Sequence, residues 1–204
     1  MRYPIPAVIH RQELVVVNSR FIATAGPATS VEQAHELLAR VRAEFSAATH
    51  QVYAYRVGFG PSTIDSCSDD GEPPGTAGRP VLAVVQGSGL GDVAVVVTRY
   101  FGGTKLGTGG LVRAYGDAAR AVMASLPRGE RVETRTFELV VPYKFYDTLT
   151  RLVAAHGGRI DDAQFAAEVG LRLTFPADRL EAFSAALREA SGGKLAVDHT
   201  CNAP

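Results

Sequence analysis

The chain has 204 residues, enough for one large domain or two small ones, each with a real hydrophobic core. Lys plus Arg and Asp plus Glu each number 21, so no bulk field draws the protein to nucleic acid or to a membrane, and only a local patch can do so. No stretch approaches the roughly 18 to 20 apolar residues that span a bilayer, and Met1-Arg-Tyr-Pro-Ile-Pro lacks the apolar run of a secretory signal, so the expectation is a cytoplasmic protein with no membrane partner.

Leu14-Val-Val-Val, a polar Asn18-Ser19 turn and Arg20-Phe-Ile-Ala-Thr-Ala predict an opening hairpin. Ser30 and Gln33 have capping-box spacing, and Ala34, Leu38, Val41 and Phe45 recur on one helical stripe, which predicts a helix. Val52-Tyr-Ala-Tyr-Arg-Val follows as a strand, and Gly58 to Gly78 reads as loop. Pro80-Val-Leu-Ala-Val-Val is too short for periodicity to separate strand from helix; with Pro80 in a first turn, helix is the reading adopted. Asp92-Val-Ala-Val-Val-Val-Thr is apolar enough to be a central strand. Leu111, Tyr115, Ala118, Val122 and Leu126 mark a long helix that starts near Gly107 to Gly110.

Pro127-Arg-Gly-Glu-Arg is a polar break with the composition of a linker, which predicts domains over 1–127 and 133–204. In the second, Thr136 to Val141 reads as strand, Lys144 to His156 as helix with Gly157-Gly158 as its stop, and Arg159 to Ala166 with Glu168 to Phe175 as a strand pair. Asp178 to Ala190 reads as helix and Leu195 to Asp198 as a closing strand. The order βαββαβ predicts a ferredoxin-like two-layer domain with its helices on one sheet face, and the chain as a whole reads as α+β. That superfold specifies no chemistry.

Fourteen of the 21 glycines lie between Gly58 and Gly116. Glycine loses more conformational freedom on folding than any other residue, so this density marks a site or a tight turn system. Lys105-Leu-Gly-Thr-Gly-Gly-Leu-Val-Arg joins a loop to a helix start, where free backbone N–H groups favour an anion. The same glycines equally serve close packing of helix on sheet, with Arg113 paired to Asp117. Neither a Walker loop nor a dinucleotide fingerprint is present. The candidate set for phosphate or nucleic acid is Arg99, Tyr100, Gly102, Gly103, Lys105, Gly107, Gly109, Gly110 and Arg113.

The carboxylates of Asp69, Asp70 and Glu72 offer oxygen ligands or a general base, or else form a turn and a helix entry, or an ion network with Arg79 and Arg99. Arg99, Tyr100 and Phe101 at a strand end suit base stacking as well as core packing. His10, His35, His50, His156 and His199 form no recognisable catalytic set, and Cys67 and Cys201 have no ligand spacing, so no metal or cofactor is expected.

Ala48-Thr-His-Gln-Val-Tyr-Ala-Tyr-Arg, Ser68-Asp-Asp-Gly-Glu-Pro-Pro-Gly-Thr-Ala-Gly-Arg-Pro and Val96-Val-Thr-Arg-Tyr-Phe-Gly-Gly-Thr-Lys-Leu-Gly-Thr-Gly-Gly-Leu-Val-Arg-Ala-Tyr resemble the signature of the YigZ/IMPACT family. The resemblance implies an N-terminal fold like the second domain of ribosomal protein S5 and a C-terminal domain like the last domain of translocation elongation factors. It also implies a connection with translation, which the eukaryotic members regulate through a kinase-activating partner and an additional N-terminal domain that this chain lacks. Two readings follow. One is a non-enzymatic binding protein for RNA, ribosomes or a translation factor; the other is an enzyme that binds a nucleotide or another phosphate-bearing ligand. That the acidic turn and the glycine-rich helix start converge in space is an expectation.

Overall fold

The computed structural model describes residues 2–197. The chain divides into two compact units, one over Tyr3–Arg131 and the other over Val132–Pro204 with Met1–Arg2. In chain order the elements are β1 (Arg2–Pro6), β2 (His10–Val16), β3 (Ser19–Pro27), α1 (Val31–Glu44), β4 (His50–Val57), β5 (Ile64–Ser68), α2 (Gly78–Gly87), β6 (Val93–Tyr100), α3 (Gly107–Ser125), β7 (Arg128–Val132), β8 (Thr134–Val141), α4 (Tyr146–Ala155), β9 (Arg159–Phe165), β10 (Val169–Pro176) and α5 (Leu180–Ala190).

The first unit is built on a five-stranded sheet of order β2-β3-β6-β4-β5, antiparallel throughout. The opening hairpin forms, but its two-residue loop is Val17-Asn18 rather than Asn18-Ser19, both residues at positive φ (44° and 63°), the conformation that matches strand twist in such a loop. Ser30 caps α1 by accepting from the Gln33 N–H. The Gln33 side chain, however, accepts from Thr29 rather than closing the box on Ser30. β6 is central, and its apolar run is explained by burial on both faces. Val93, Val95 and Val97 join the core beneath α2 and α3, while Ala94 and Val96 join a second core beneath α1. The alternation of a strand thus serves two helical layers at once.

Three strands depart from the sequence reading. β5 lies inside the segment read as loop; its sequence Ile64-Asp-Ser-Cys-Ser carries little apolar signal because it is a sheet edge. The polar segment from Pro127 to Arg131 read as linker falls largely within β7, which pairs with β1. Its stability comes from tertiary partners that composition does not reveal. The carboxylate of Asp92, 2% exposed, accepts from Tyr3 Oη at 2.8 Å, Arg131 Nη1 at 2.6 Å and the Gly58 N–H at 2.8 Å, tying both strands to the start of β6.

In the second unit the strands order β8-β10-β9, antiparallel. Val169, Leu171, Leu173 and Phe175 of β10 face a core shared with Leu149 and Val153 of α4 and Phe183 and Leu187 of α5, so both helices lie on one sheet face. α4 ends as expected at Gly157 (φ 69°), with Gly158 N–H donating to Val153 C=O and Gly157 N–H to Ala154 C=O, a Schellman motif. The closing strand differs: Leu195 to Val197 carry no strand pairing, and Asp198 lies outside the described residues, as do His199 and Cys201.

Candidate functional site

The acidic turn and the end of β6 meet on the α2/α3 side of the first unit. β6 pairs Arg99 with Phe21 of β3 and with His50 of β4, which brings all three to one end of the sheet. Arg99 is 5% exposed and therefore requires a buried partner. Its Nη1 donates to Glu72 Oε1 at 2.5 Å, Nη2 to Ser19 Oγ at 3.4 Å, and the guanidinium lies 5.5 Å from the Phe21 ring centroid and 5.6 Å from that of Phe101. Tyr115 of α3 donates to the same Glu72 Oε1 at 2.7 Å. Burial first, then the bond to Glu72 and its negative charge, push the Tyr115 phenol far above its ordinary range, so it keeps its proton and acts as donor.

The other two carboxylates are also engaged. Asp69 accepts from the N–H groups of Gly75 (2.8 Å), Ala77 (3.0 Å) and Gly78 (2.8 Å), and so supplies the start of α2 with the acceptor its free donors need. Partial burial opposes ionisation of Asp69, but the three backbone donors outweigh it and hold its carboxyl below the ordinary range. Asp70, at φ 45°, accepts from Arg42 Nη2 at 2.8 Å and from the Gln51 N–H at 2.6 Å. Its carbonyl accepts from His50 Nδ1 at 2.8 Å. This fixes the His50 tautomer and leaves Nε2 3.9 Å from Glu72 Oε1. Of the alternatives in the sequence, the turn, the helix entry and the ion network with Arg99 are realised together. Among the described residues no group of three or more potential ligands gathers as for a metal ion.

The glycine-rich segment has two different halves. At Gly102 an added Cβ would lie 2.1 Å from the Asn18 carbonyl carbon and oxygen, so this glycine lets the loop after β6 nest on the β2–β3 turn. Gly107, at φ 71°, and Gly109 face open space, and α3 begins without a side-chain cap. Lys105 and Arg113 are exposed and make no hydrogen bond or ion pair among the described residues. Asp117, expected to pair with Arg113, pairs instead with Arg120 at 2.7 Å.

Lys105 thus precedes the α3 start that Gly107 and Gly109 form, and Arg113 lies beside Gly109 one turn further on. The structure does not bring Arg99 there, because Arg99 is enclosed by Glu72 and two rings. Tyr100 points to the opposite sheet face from Arg99, beneath the Arg20 guanidinium at 5.7 Å. Gly103 supplies a positive-φ bend (84°), and Gly110 packs against Leu106 Cβ. The acidic turn meets α3 at Tyr115, two turns beyond its start. His50 and Tyr115 are among the residues sequence reasoning missed; the place of His50 opposite Arg99 depends on strand pairing and that of Tyr115 on helix docking, neither of which has a local signal.

A model of the Impact N-terminal domain matches residues 17–123, and one of a domain of unknown function, DUF1949, matches residues 139–194. The IMPACT family member YigZ of Escherichia coli (strain K12) is 37% identical over 181 residues, 88% of this chain and 89% of that protein. A crystal structure described as that of a hypothetical protein is 36% identical with a TM-score of 0.72, covering 97% of this chain and 98% of its own. Protein IMPACT-A of Xenopus tropicalis is 36% identical over 107 residues, 50% of this chain and 33% of that protein.

Proposed function

The chain belongs to the IMPACT family, and from that premise we propose that it is a non-enzymatic binding protein connected with translation, taking an RNA phosphate backbone at the start of α3, on free RNA or on the ribosome. The observation that carries this reading is the uncapped α3 start, where the open Gly107 and Gly109 adjoin exposed Lys105 and Arg113. Backbone donors and two exposed cations suit a phosphate, and among the described residues no carboxylate pairs with either cation. Asp69, Asp70 and Glu72 each hold protein donors, which weighs against the reading of the chain as a nucleotide- or phosphate-binding enzyme that uses this turn. Finer fold assignments accompany this reading: an S5 domain 2-like first unit, and a ferredoxin-like second unit supported by the order β8-β10-β9 with both helices on one face. The cytoplasm is the matching compartment; among the described residues no helix is long and apolar enough to cross a membrane.

The test is anisotropy of a labelled single-stranded RNA, with ribosome co-sedimentation alongside, over a salt series. Each phosphate contact adds about 0.7 to the slope of log K against log salt for single strands, so Lys105→Glu with Arg113→Glu should lower it by about 1.4. Absence of low-salt binding to both RNA and ribosomes, or a slope unchanged in the variant, would sink the reading.

A further inference from the structure

α3 carries two stripes. Leu111, Ala114, Tyr115, Ala118 and Val122 face the sheet and are buried, as the core of the unit requires. A second stripe, Gly109, Val112, Arg113, Gly116 and Arg120, turns toward Pro80, Ala83 and Val84 of α2 and lines an open groove of about 540 Å³. Ligand-sized pockets run from about 300 to 1,000 Å³, so several side chains fit. The walls are unusual for a solvated helix face. Val112 is 43% exposed and Gly109 faces open space, where long polar side chains would be ordinary, while Gly116 is buried beneath Arg120.

The charge on this groove has one sign. Its lining holds two arginines and no carboxylate; among the described residues Arg113 has no ion-pair partner and Arg120 pairs with exposed Asp117. An added Cβ at Gly116 would lie 3.3 Å from Arg120 Nη1, so the guanidinium lies close over the groove floor. An occupant must therefore combine apolar side chains for Pro80, Val84 and Val112 with negative charge for Arg113 and Arg120. The lining contains no aromatic ring on which a base can stack, which counts against single-stranded RNA as the occupant. It also contains no hydroxyl or amide side chain to orient a small ligand.

We propose that the α2/α3 groove docks an acidic amphipathic helix of a protein partner, its apolar stripe against Val84 and Val112 and its carboxylates on Arg113 and Arg120. At Gly109, where an added Cβ would meet nothing, an incoming helix can approach closely, as in tight helix crossings. This interaction goes beyond RNA binding and shares with it only Gly109 and Arg113.

The experiment uses the full chain, 15N-labelled, titrated separately with three probes. They are a designed 18-residue helical peptide with Leu at i, i+3, i+4 and i+7 and Glu on its flanks, a scrambled peptide of the same composition, and a 12-nucleotide single-stranded RNA. The helical peptide is expected to shift the amides of Ala83, Val84, Gly109, Val112 and Gly116, to bind at least tenfold more tightly than the scramble, and to lose at least tenfold in affinity with Val112→Glu. Lys105→Glu, outside the groove, should leave peptide binding unchanged while it weakens RNA, so the two interactions fail separately. Equal binding of the scramble, no shifts at these amides, or shifts there with RNA alone would overturn the proposal. So would concentration-dependent self-association that Val112→Glu abolishes, which would assign the groove to a second copy.

Discussion

Glu72→Ala is the most revealing perturbation of the first unit, because it removes one member of a pair whose side chains are only 6% and 4% exposed. Arg99 would keep its charge, with Ser19 Oγ at 3.4 Å as its remaining hydrogen-bond partner in the described set. Removing one partner of a buried ion pair costs about 3–5 kcal/mol, since the survivor stays desolvated and unpaired. The Phe21 and Phe101 rings lie within 6 Å of the guanidinium with or without Glu72, so their attraction cancels in the difference. The expected loss is therefore about 3 kcal/mol or more, a large share of a stability of about 5–15 kcal/mol. With a urea m-value of about 2 kcal/mol per M, the midpoint of this unit should fall by about 1.5 M or more.

Urea-dependent hydrogen exchange read by mass spectrometry reports each compact unit separately, so the loss should appear in Tyr3–Arg131 while Val132–Pro204 serves as the internal reference. The double variant Glu72→Leu with Arg99→Met removes both charges and should recover part of the loss, because an apolar pair replaces a buried ion pair at little cost while the Tyr115 hydroxyl still loses its acceptor. A Glu72→Ala effect below about 1 kcal/mol, or a double variant less stable than the single one, would refute the account of Arg99 as a buried cation dependent on Glu72.

Further expectations concern the two turns around this cluster. Asp69 has a depressed folded-state pKa, so its contribution is present above the unfolded value of about 3.9 and is lost as pH falls through the folded value. Asp69→Asn should lower stability at pH 7 by about 1–3 kcal/mol and flatten the acid limb of the unfolding profile below about pH 4; an unchanged acid limb would show that the helix entry does not depend on its charge. Gly102→Ala places a Cβ on the backbone of Asn18 and should cost about 1–3 kcal/mol or more, read as a lowered Tm; a neutral effect would mean the loop lifts off the hairpin without penalty.

The elements legible in the sequence are those whose signal is local. The Ser30 cap, the stripe of α3 and the Gly157 stop each follow from spacing of a few residues, and each forms. β1, β5 and β7 were not legible because they are short and carry little apolar signal; β5 is a sheet edge, and β1 and β7 are held by partners remote in the chain, such as Asp92 with Arg131. The same distinction divides the candidate site. Asp69, Asp70 and Glu72 announce themselves as a cluster, but their partners are Arg42, His50, Gln51, Arg99 and Tyr115, assembled only by strand register and helix docking. Arg99 and Tyr100 are adjacent in sequence, yet alternation of β6 sends one to the ion pair and the other to the opposite face.

The pairing of β1 with β7 makes the first unit a closed circuit in which entry and exit of the chain are the same structural element. Trimming the first six residues would not merely shorten a tail. It would take Tyr3 from a carboxylate that is 2% exposed, remove the strand against which β7 pairs, and leave Arg131 to hold Asp92 without it. Proteolysis or truncation at the amino end is therefore expected to act at the far end of the unit, where the chain leaves for its second half.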